Sequence, residues 1–96
     1  MLKVYDKAQW HMDAGENAEA VVSRFKAVFS FLAAKELLGA EGKEMVDLGI
    51  DSSISIHERM VTDAGKKFME ACYDKVIDKS ADEIVGALEK EFELFM

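Results

Sequence analysis

Apolar residues recur at helical spacing in three segments of this chain, and no other feature of the sequence limits the fold as strongly. In the first segment, Val21, Phe25 and Val28 share one face of a helix. Their apolar neighbours widen that face to about half of the helix circumference, as expected of a central helix. Comparable stripes run through residues 68–77 and 84–95. The sequence therefore predicts a core built mainly from helices.

The chain length and the capping signals indicate one bundle of three to four helices. A chain of 96 residues encloses a single core, so we expect one domain over residues 1–96. No proline interrupts the helical pattern. Asp13 and Glu16 have the spacing of a capping box ahead of the first helix, which we expect to run to Leu38. Residues 40–48 predict a short second helix. Further N-caps are predicted at Thr62 and, as a second capping box with Glu83, at Ser80.

Two other segments alternate apolar and polar residues with the period of a strand. One extends through residues 2–12 and the other lies at residues 53–57. Since a two-stranded ribbon is stable only when it packs on other elements, we expect residues 2–12 and 53–60 to form at most a small ribbon against the helices. The predicted fold class is mainly α, with α+β as the alternative.

The sequence also contains one internal echo. Residues 37–45 align with residues 60–68 at a spacing of 23, and a Gly-Lys pair is identical in both copies. Two similar turn-into-helix junctions explain this most simply, and a duplicated half-domain is the alternative. Two copies are fewer than the three that a solenoid needs, so no repeat architecture is predicted.

The charge balance argues against a nucleic-acid partner. The chain has 19 acidic and 12 basic residues and a net charge of −7, whereas binding to a phosphate backbone depends on lysine and arginine. A negative field favours a basic partner protein instead. No membrane partner is expected, because no uncharged apolar stretch is long enough to span a bilayer. With a single cysteine, and with early charge in place of a signal peptide, we expect a cytoplasmic location.

No arrangement of reactive residues in the sequence predicts catalysis or metal binding. His11 and His57 would approach each other if the two strand candidates paired, but neither has a second ligand at the spacing of a zinc site. Cys72 lies on the apolar face of its predicted helix, where a buried thiol is unreactive. The six glycines are scattered and form no phosphate-binding loop. We therefore expect no catalytic, cofactor-binding or metal-binding residue, and no cofactor.

Two features indicate a surface for another protein. Trp10 is the only tryptophan, and this residue type is enriched at interaction hot spots. The last predicted helix carries an apolar stripe that ends in Leu88, Phe92 and Phe95. That stripe either completes the core of the domain or packs against another chain, most simply a symmetric copy. The candidate interaction surface is therefore Trp10, Leu88, Phe92 and Phe95.

Parts of the sequence resemble small bacterial proteins that have no assigned function. The segments that carry the resemblance are Lys7-Ala8-Gln9-Trp10-His11, then Asp13 and Gly15-Glu16, and later Val61-Thr62-Asp63-Ala64-Gly65-Lys66. This resemblance implies no activity and no functional residue. Residues 61–65 also resemble the turn of winged-helix regulators. The chain departs from that family because it has one candidate strand where a wing needs two, and it lacks a basic recognition helix.

These observations predict a small acidic protein-interaction or regulatory module without catalytic activity. Its partner would be another protein or a second copy of the chain. The alternative is a winged-helix-like regulator associated with nucleic acid, in which Arg59, Lys66 and Lys67 would have to share one face.

Overall fold

Five α-helices and one two-stranded antiparallel sheet make up residues 2–95, the part of the chain that the computed structural model describes. The strands are β1 (Val4–Lys7) and β2 (Ser55–His57). The helices are α1 (Ala8–Asp13), α2 (Ala18–Ala34), α3 (Ala40–Leu48), α4 (Asp63–Cys72) and α5 (Ala81–Phe95). Short 3₁₀ turns cover Glu58–Met60 and Tyr73–Lys75. The prediction of a mainly helical chain with a small ribbon is confirmed, with five α-helices where three to four were expected.

The ribbon is shorter than the alternating pattern predicted. Strands β1 and β2 pair antiparallel, with Lys7 opposite Ser55. Beyond Lys7 the strand prediction for residues 2–12 is wrong, because the chain turns into α1 at Ala8. Ala8 is fully buried, and its amide donates to the carbonyl of Ile54 at 3.0 Å. The ladder therefore ends on the start of a helix, which brings α1 against β1.

The start of α2 is capped by a residue that the sequence analysis did not select. Oδ1 of Asn17 accepts from the amides of Glu19 at 2.9 Å and Ala20 at 3.3 Å. The predicted capping box of Asp13 and Glu16 is wrong, because Asp13 is the last residue of α1. Glu16 is thereby free to make a different contact.

Helix α2 ends at Ala34 rather than at the predicted Leu38. Glu36 has a φ of +59°, a left-handed conformation that usually belongs to glycine. The amide of Leu37 then donates to the carbonyl of Leu32 at 2.8 Å, the bond that closes a Schellman motif. Because glutamate takes the usual place of glycine, the sequence does not mark this helix end.

The internal echo corresponds to two segments that pack against each other. Leu38 and Val61 form an isolated antiparallel bridge. On one side of it, the amide of Gly39 donates to the carbonyl of Met60 at 2.9 Å. On the other side, the amide of Thr62 donates to the carbonyl of Leu37 at 2.8 Å. The two donors are 23 residues apart in the chain, and so are the two acceptors. The segments are therefore related by a local twofold pseudosymmetry.

A glycine occupies the third position of the helix that follows each segment. A Cβ added to Gly42 in α3 would overlap the carbonyl oxygen of Met60. A Cβ added to Gly65 in α4 would lie 2.6 Å from the carbonyl oxygen of Leu37. The echo is therefore explained by two similar junctions with the same packing requirement, residues 37–45 and 60–68, which we call the paired junctions.

The predicted apolar stripes form the core. Val21, Phe25 and Val28 of α2 are at most 1% exposed, and α5 packs along α2 through the fully buried Ile84 and Leu88. The last helix therefore completes the core of the domain. Within residues 2–95, every helix is too short or too polar to cross a bilayer.

Candidate functional site

A buried carboxylate, Asp6 of β1, lies at the centre of the main polar site. Its side chain is fully buried, and its Oδ2 accepts from the hydroxyl of Tyr73 at 2.7 Å. Its Oδ1 accepts from the backbone amide of Lys7 at 2.9 Å. The Nε2 atom of His11 lies 2.8 Å from Oδ1 and 3.0 Å from Oδ2. Since a charge is tolerated in a core only when it is paired and hydrogen-bonded, these three groups explain how a carboxylate is accommodated there.

The ring of His11 is held between two carboxylates. Its Nδ1 lies 3.0 Å from Oε2 of Glu16, and its edge packs against Phe25 with ring centroids 6.1 Å apart. A neutral imidazole has one N–H, so only the protonated ring donates to Asp6 and Glu16 at once. Donation to both carboxylates therefore requires an imidazolium, whereas a neutral ring can donate to only one of them.

A second cation, Arg24 of α2, lies on the other side of Glu16. Its side chain is only 3% exposed, and its Nη1 donates to the carbonyl oxygen of Lys79 at 3.0 Å. Its Nη2 is 3.6 Å from Oε2 of Glu16, an ion pair that is too long for a hydrogen bond. Within residues 2–95, Nη2 and Nε of Arg24 have no hydrogen-bond partner. We call the following residues the polar cluster: Asp6, His11, Glu16, Arg24 and Tyr73.

A groove beside the polar cluster opens next to Trp10. It has a volume of about 280 Å³ and is lined by Asp6, Trp10, His11, Glu16, Ile77 and Asp78. Trp10 is 49% exposed, and Asp78 is exposed as well. We call this feature the Trp10 groove. It combines an aromatic wall with carboxylates. The π face of the ring and the negative charge of the carboxylates both attract a cation.

A larger pocket of about 450 Å³ lies elsewhere, between the start of α2 and the turn at Asp51 and Ser52. Its ionisable residues, Glu19, Lys26 and Asp51, are all exposed. Buried ionisable groups converge on the Trp10 groove and not on this pocket, so chemistry favours the smaller of the two.

The four residues of the predicted interaction surface do not form one surface. Leu88 is fully buried in the core of the chain, so no partner can reach it in this fold. Phe92 is half-buried, with its ring centroid 5.5 Å from that of Phe68. Phe95 packs on the same ring at 5.5 Å and remains 37% exposed. Trp10 alone lines the groove beside the polar cluster.

The two histidines belong to separate hydrogen-bond networks. His57 lies on β2, and its Nδ1 accepts from the backbone amide of Arg59 at 3.3 Å, whereas His11 contacts Asp6 and Glu16. Cys72 is 5% exposed, and burial raises the pKa of its thiol. Residues 2–95 contain no group of three or more His, Cys, Asp or Glu side chains that is placed to hold a metal ion.

Sequence reasoning missed most of the polar cluster. Asp6 was given no role, whereas Glu16 was treated as a helix cap and Tyr73 as part of an apolar stripe. One signal was present: Asp6 shares the register of Val4 and Ala8, the apolar residues of the alternating pattern. Arg24, in the middle of the most apolar helix, was a second signal, because an arginine there is buried only with partners.

Without the Tyr73 hydroxyl, the free energy of unfolding should fall less steeply as the pH becomes alkaline. Burial, the charge of Asp6 and the hydrogen bond to it raise the pKa of Tyr73 well above 10. Burial and Glu70 raise the pKa of Tyr5 to about 12. A raised folded-state pKa gives stability that is complete below the unfolded-state pKa of about 10 and is lost as the pH rises through the folded-state value.

Above about pH 10 the free energy of unfolding of the wild type should fall with pH. We expect this slope to be smaller in Tyr73→Phe by about 1.4 kcal/mol per pH unit. At neutral pH the same variant should lose about 1–2 kcal/mol, because Asp6 loses a donor. Urea unfolding followed from about pH 8 to about pH 11 measures both. Tyr5→Phe should remove a second share of the decline. A wild-type slope in Tyr73→Phe would contradict the burial of this hydroxyl.

Comparisons of the chain with protein-family models, with curated proteins and with solved structures find no match. The function is therefore argued from the geometry of the polar cluster and the Trp10 groove.

Proposed function

We propose that this chain is a small cytoplasmic protein-interaction module that binds a basic segment of a partner protein in the Trp10 groove. The observation that carries the proposal is a half-exposed tryptophan set beside the polar cluster and the exposed carboxylate of Asp78. The proposed function includes no catalytic step.

Trp10 has the exposure and the chemistry of a binding anchor. Its side chain leaves 49% of its surface in water, and tryptophan combines a large apolar area with few rotatable bonds. Covering such a ring with a partner therefore contributes more than covering most other side chains. A lysine or arginine placed over the ring is also attracted by its π face.

The charge of the groove favours a cationic ligand. Three carboxylates, on Asp6, Glu16 and Asp78, face two cations, on His11 and Arg24. The site therefore keeps a negative charge even when the histidine is protonated. The net charge of −7 adds a long-range field that attracts basic segments and repels acidic ones.

Local structure holds the groove in position before a partner arrives. Helix α1 follows β1 without a linker, and the bond from His11 to Asp6 ties the helix to the strand. Within α1, Nε2 of Gln9 donates to Oδ1 of Asp13 at 2.7 Å. An anchor on an ordered helix loses less conformational entropy on binding than one on a loose segment.

The contacts of His11 support a structural role in place of a catalytic one. A general base needs a nitrogen that reaches the proton of a substrate. Both ring nitrogens of His11 face carboxylate oxygens within 3.0 Å, on Asp6 and Glu16. The ring is therefore part of the wall of a binding site.

Basic peptides should bind this chain, and the binding should depend on Trp10. We expect lysine- and arginine-rich peptides from an array to bind, and acidic peptides of the same length to fail. Trp10→Ala should weaken binding at least about tenfold, and Asp78→Asn about threefold or more. Because Trp10 is the only tryptophan, its fluorescence reports binding at the groove, and anisotropy of a labelled peptide serves for the alanine variant.

Two matched variants control for surface effects. Leu48→Ala removes an apolar side chain that is 76% exposed on α3, and Asp47→Asn removes one charge on the same helix. Both should bind like the wild type. Equal peptide affinity in wild type and Trp10→Ala would overturn the proposed function. Binding of an oligonucleotide but of no peptide would favour the winged-helix alternative, and a dimer that Trp10→Ala dissociates would make a second copy the partner.

A further inference from the structure

Glu16 is the residue that the Trp10 groove shares with a neighbouring cavity. That second cavity has a volume of about 210 Å³ and is also lined by Arg24 and Ser80. The side chain of Glu16 is 44% exposed, and the residue lies on the short connection between α1 and α2. Its carboxylate can therefore change partners without moving a helix.

We propose that loss of the proton from His11 transfers the Glu16 carboxylate from His11 to Arg24, and that this transfer strengthens the binding of a basic segment in the Trp10 groove. The proposal rests on the proposed function for its ligand. The transfer of Glu16 itself is measurable without any ligand.

With His11 protonated, the ring holds Glu16 in place. Nε2–H donates to Asp6 and Nδ1–H donates to Glu16, at 2.8 Å and 3.0 Å. Bonds of this charged kind are stronger than bonds between neutral groups. The carboxylate that faces the groove is then neutralised by the ring, and both ring nitrogens are occupied.

With His11 neutral, the ring has one N–H, so it can donate to only one of the two carboxylates. Asp6 is fully buried, whereas Glu16 is 44% exposed and is readily solvated. The smaller cost therefore leaves the remaining proton on Nε2, donated to Asp6. The lone pair of Nδ1 then faces the Glu16 carboxylate at 3.0 Å and repels it.

Arg24 supplies the second position for the carboxylate. Its Nη2 lies 3.6 Å from Oε2 of Glu16 and has no hydrogen-bond partner among residues 2–95. A shift of less than 1 Å would bring the pair to the usual length of a charged hydrogen bond. The unpartnered Nη2, otherwise costly in a core, is thus explained as the alternative partner of Glu16.

The other groups that face His11 fix the direction of the effect. Asp6 on β1 and Asp78, before α5, are negative, while Arg24 on α2 is positive. Tyr73 donates to Asp6 and stays uncharged at neutral pH. Arg24 keeps its positive charge, so loss of the proton from His11 leaves these groups more negative.

Deprotonation changes the groove in two ways that favour a cation. The groups that line and adjoin it go from one net negative charge to two, because His11 loses its positive charge while Arg24 keeps its own. The vacated Nδ1 of His11 also becomes an acceptor for an ammonium or guanidinium N–H. The lost positive charge and the freed acceptor together correspond to about a tenfold change in affinity for a cation.

The first test follows the free protein by ¹⁵N NMR. Between about pH 5 and about pH 9, the ring of His11 should titrate to the Nε2–H tautomer, and the Nη signals of Arg24 should shift with the same midpoint. In Glu16→Gln the Arg24 signals should no longer follow the histidine. An Nδ1–H tautomer, or Arg24 signals that ignore the titration of His11, would overturn the transfer of Glu16.

The second test measures affinity for an arginine-containing peptide at about pH 5.5 and about pH 8.5. The wild type and the control His57→Asn should bind about tenfold more tightly at the higher pH. His11→Gln should bind equally at both, with the affinity that the wild type has at high pH. Glu16→Gln serves as the second variant. The lost charge of His11 still favours the cation there, but the glutamine amide can donate to Nδ1 of the neutral ring and keep it occupied, so the pH dependence should be smaller than that of the wild type.

The two tests separate the two proposals. Peptide binding whose pH dependence is unchanged in Glu16→Gln overturns the coupling and leaves the proposed function in place. Absence of binding at either pH, with the NMR titration as expected, overturns the proposed function and shows that the movement of Glu16 does not serve a basic ligand.

Discussion

Gly42→Ala should lower the free energy of unfolding by at least about 3 kcal/mol. The added Cβ would overlap the carbonyl oxygen of Met60 and would lie 2.6 Å from Cδ2 of Leu38. Backbone on one side and a buried leucine on the other leave no room for a methyl group. The paired junctions would have to separate, and with them the hydrogen bond from Gly39 to Met60. Urea unfolding followed by circular dichroism measures the loss.

Pseudosymmetry makes this prediction testable twice. Gly65→Ala places a Cβ 2.6 Å from the carbonyl oxygen of Leu37 and should be destabilising for the same reason. The control is Gly86→Ala in the middle of α5, where an added Cβ meets nothing within 4 Å. That variant should gain about 0.5–1 kcal/mol, because alanine favours a helix. Similar stabilities for all three variants would contradict the close approach at the paired junctions.

The apolar stripes of α2 and α5 were predictable because burial on one face of a helix leaves a periodic trace in the sequence. Val21, Phe25 and Ile84 are buried as their spacing indicates. The Thr62 cap was predictable too, since its Oγ1 accepts from the amide of Gly65 at 3.1 Å. These features depend on residues a few positions apart, where one local rule decides the conformation.

The errors occurred where tertiary contacts override local preference. Alternation of Ala8, Trp10 and Met12 fits a strand, but Ala8 is buried with its amide bonded to Ile54, just before β2, and a helix starts there. Glu36 adopts the conformation of a glycine because Leu37 and Leu38 are buried immediately after it. Neither outcome has a signal within the few residues that a pattern compares.

The contacts that join the polar cluster were beyond prediction for a related reason. Asp6 and Tyr73 are 67 residues apart in the chain and meet at 2.7 Å. Polar residues in an alternating or amphipathic pattern are normally assigned to the solvent face. Only the finished packing shows that Asp6 and Arg24 point inward, with partners supplied by three different elements.

Asp6→Ala should be as destabilising as the glycine variants, by about 3–5 kcal/mol. The substitution leaves the hydroxyl of Tyr73 without an acceptor in the core and leaves His11 beside Glu16 and Arg24 without its buried counter-charge. Each orphaned group costs its desolvation free energy in addition to the lost bond. Asp6→Asn should lose less, because the amide oxygen can still accept from some of the three donors that contact Asp6.

A double-mutant cycle with Tyr73→Phe isolates the buried bond at the centre of the cluster. Because the hydroxyl has no other acceptor once Asp6 is gone, Asp6→Ala and Tyr73→Phe should together cost less than the sum of the two single changes, with a coupling of about 1–3 kcal/mol. Asp13→Ala is the control, since Asp13 is exposed and its side chain bonds, among residues 2–95, to Gln9 of the same helix. It should change stability by less than about 0.5 kcal/mol. Additive losses in the cycle would mean that Tyr73 and Asp6 do not share a hydrogen bond. Asp6 would then not be oriented toward His11 by Tyr73, and the proposal that the polar cluster positions the Trp10 groove would be wrong.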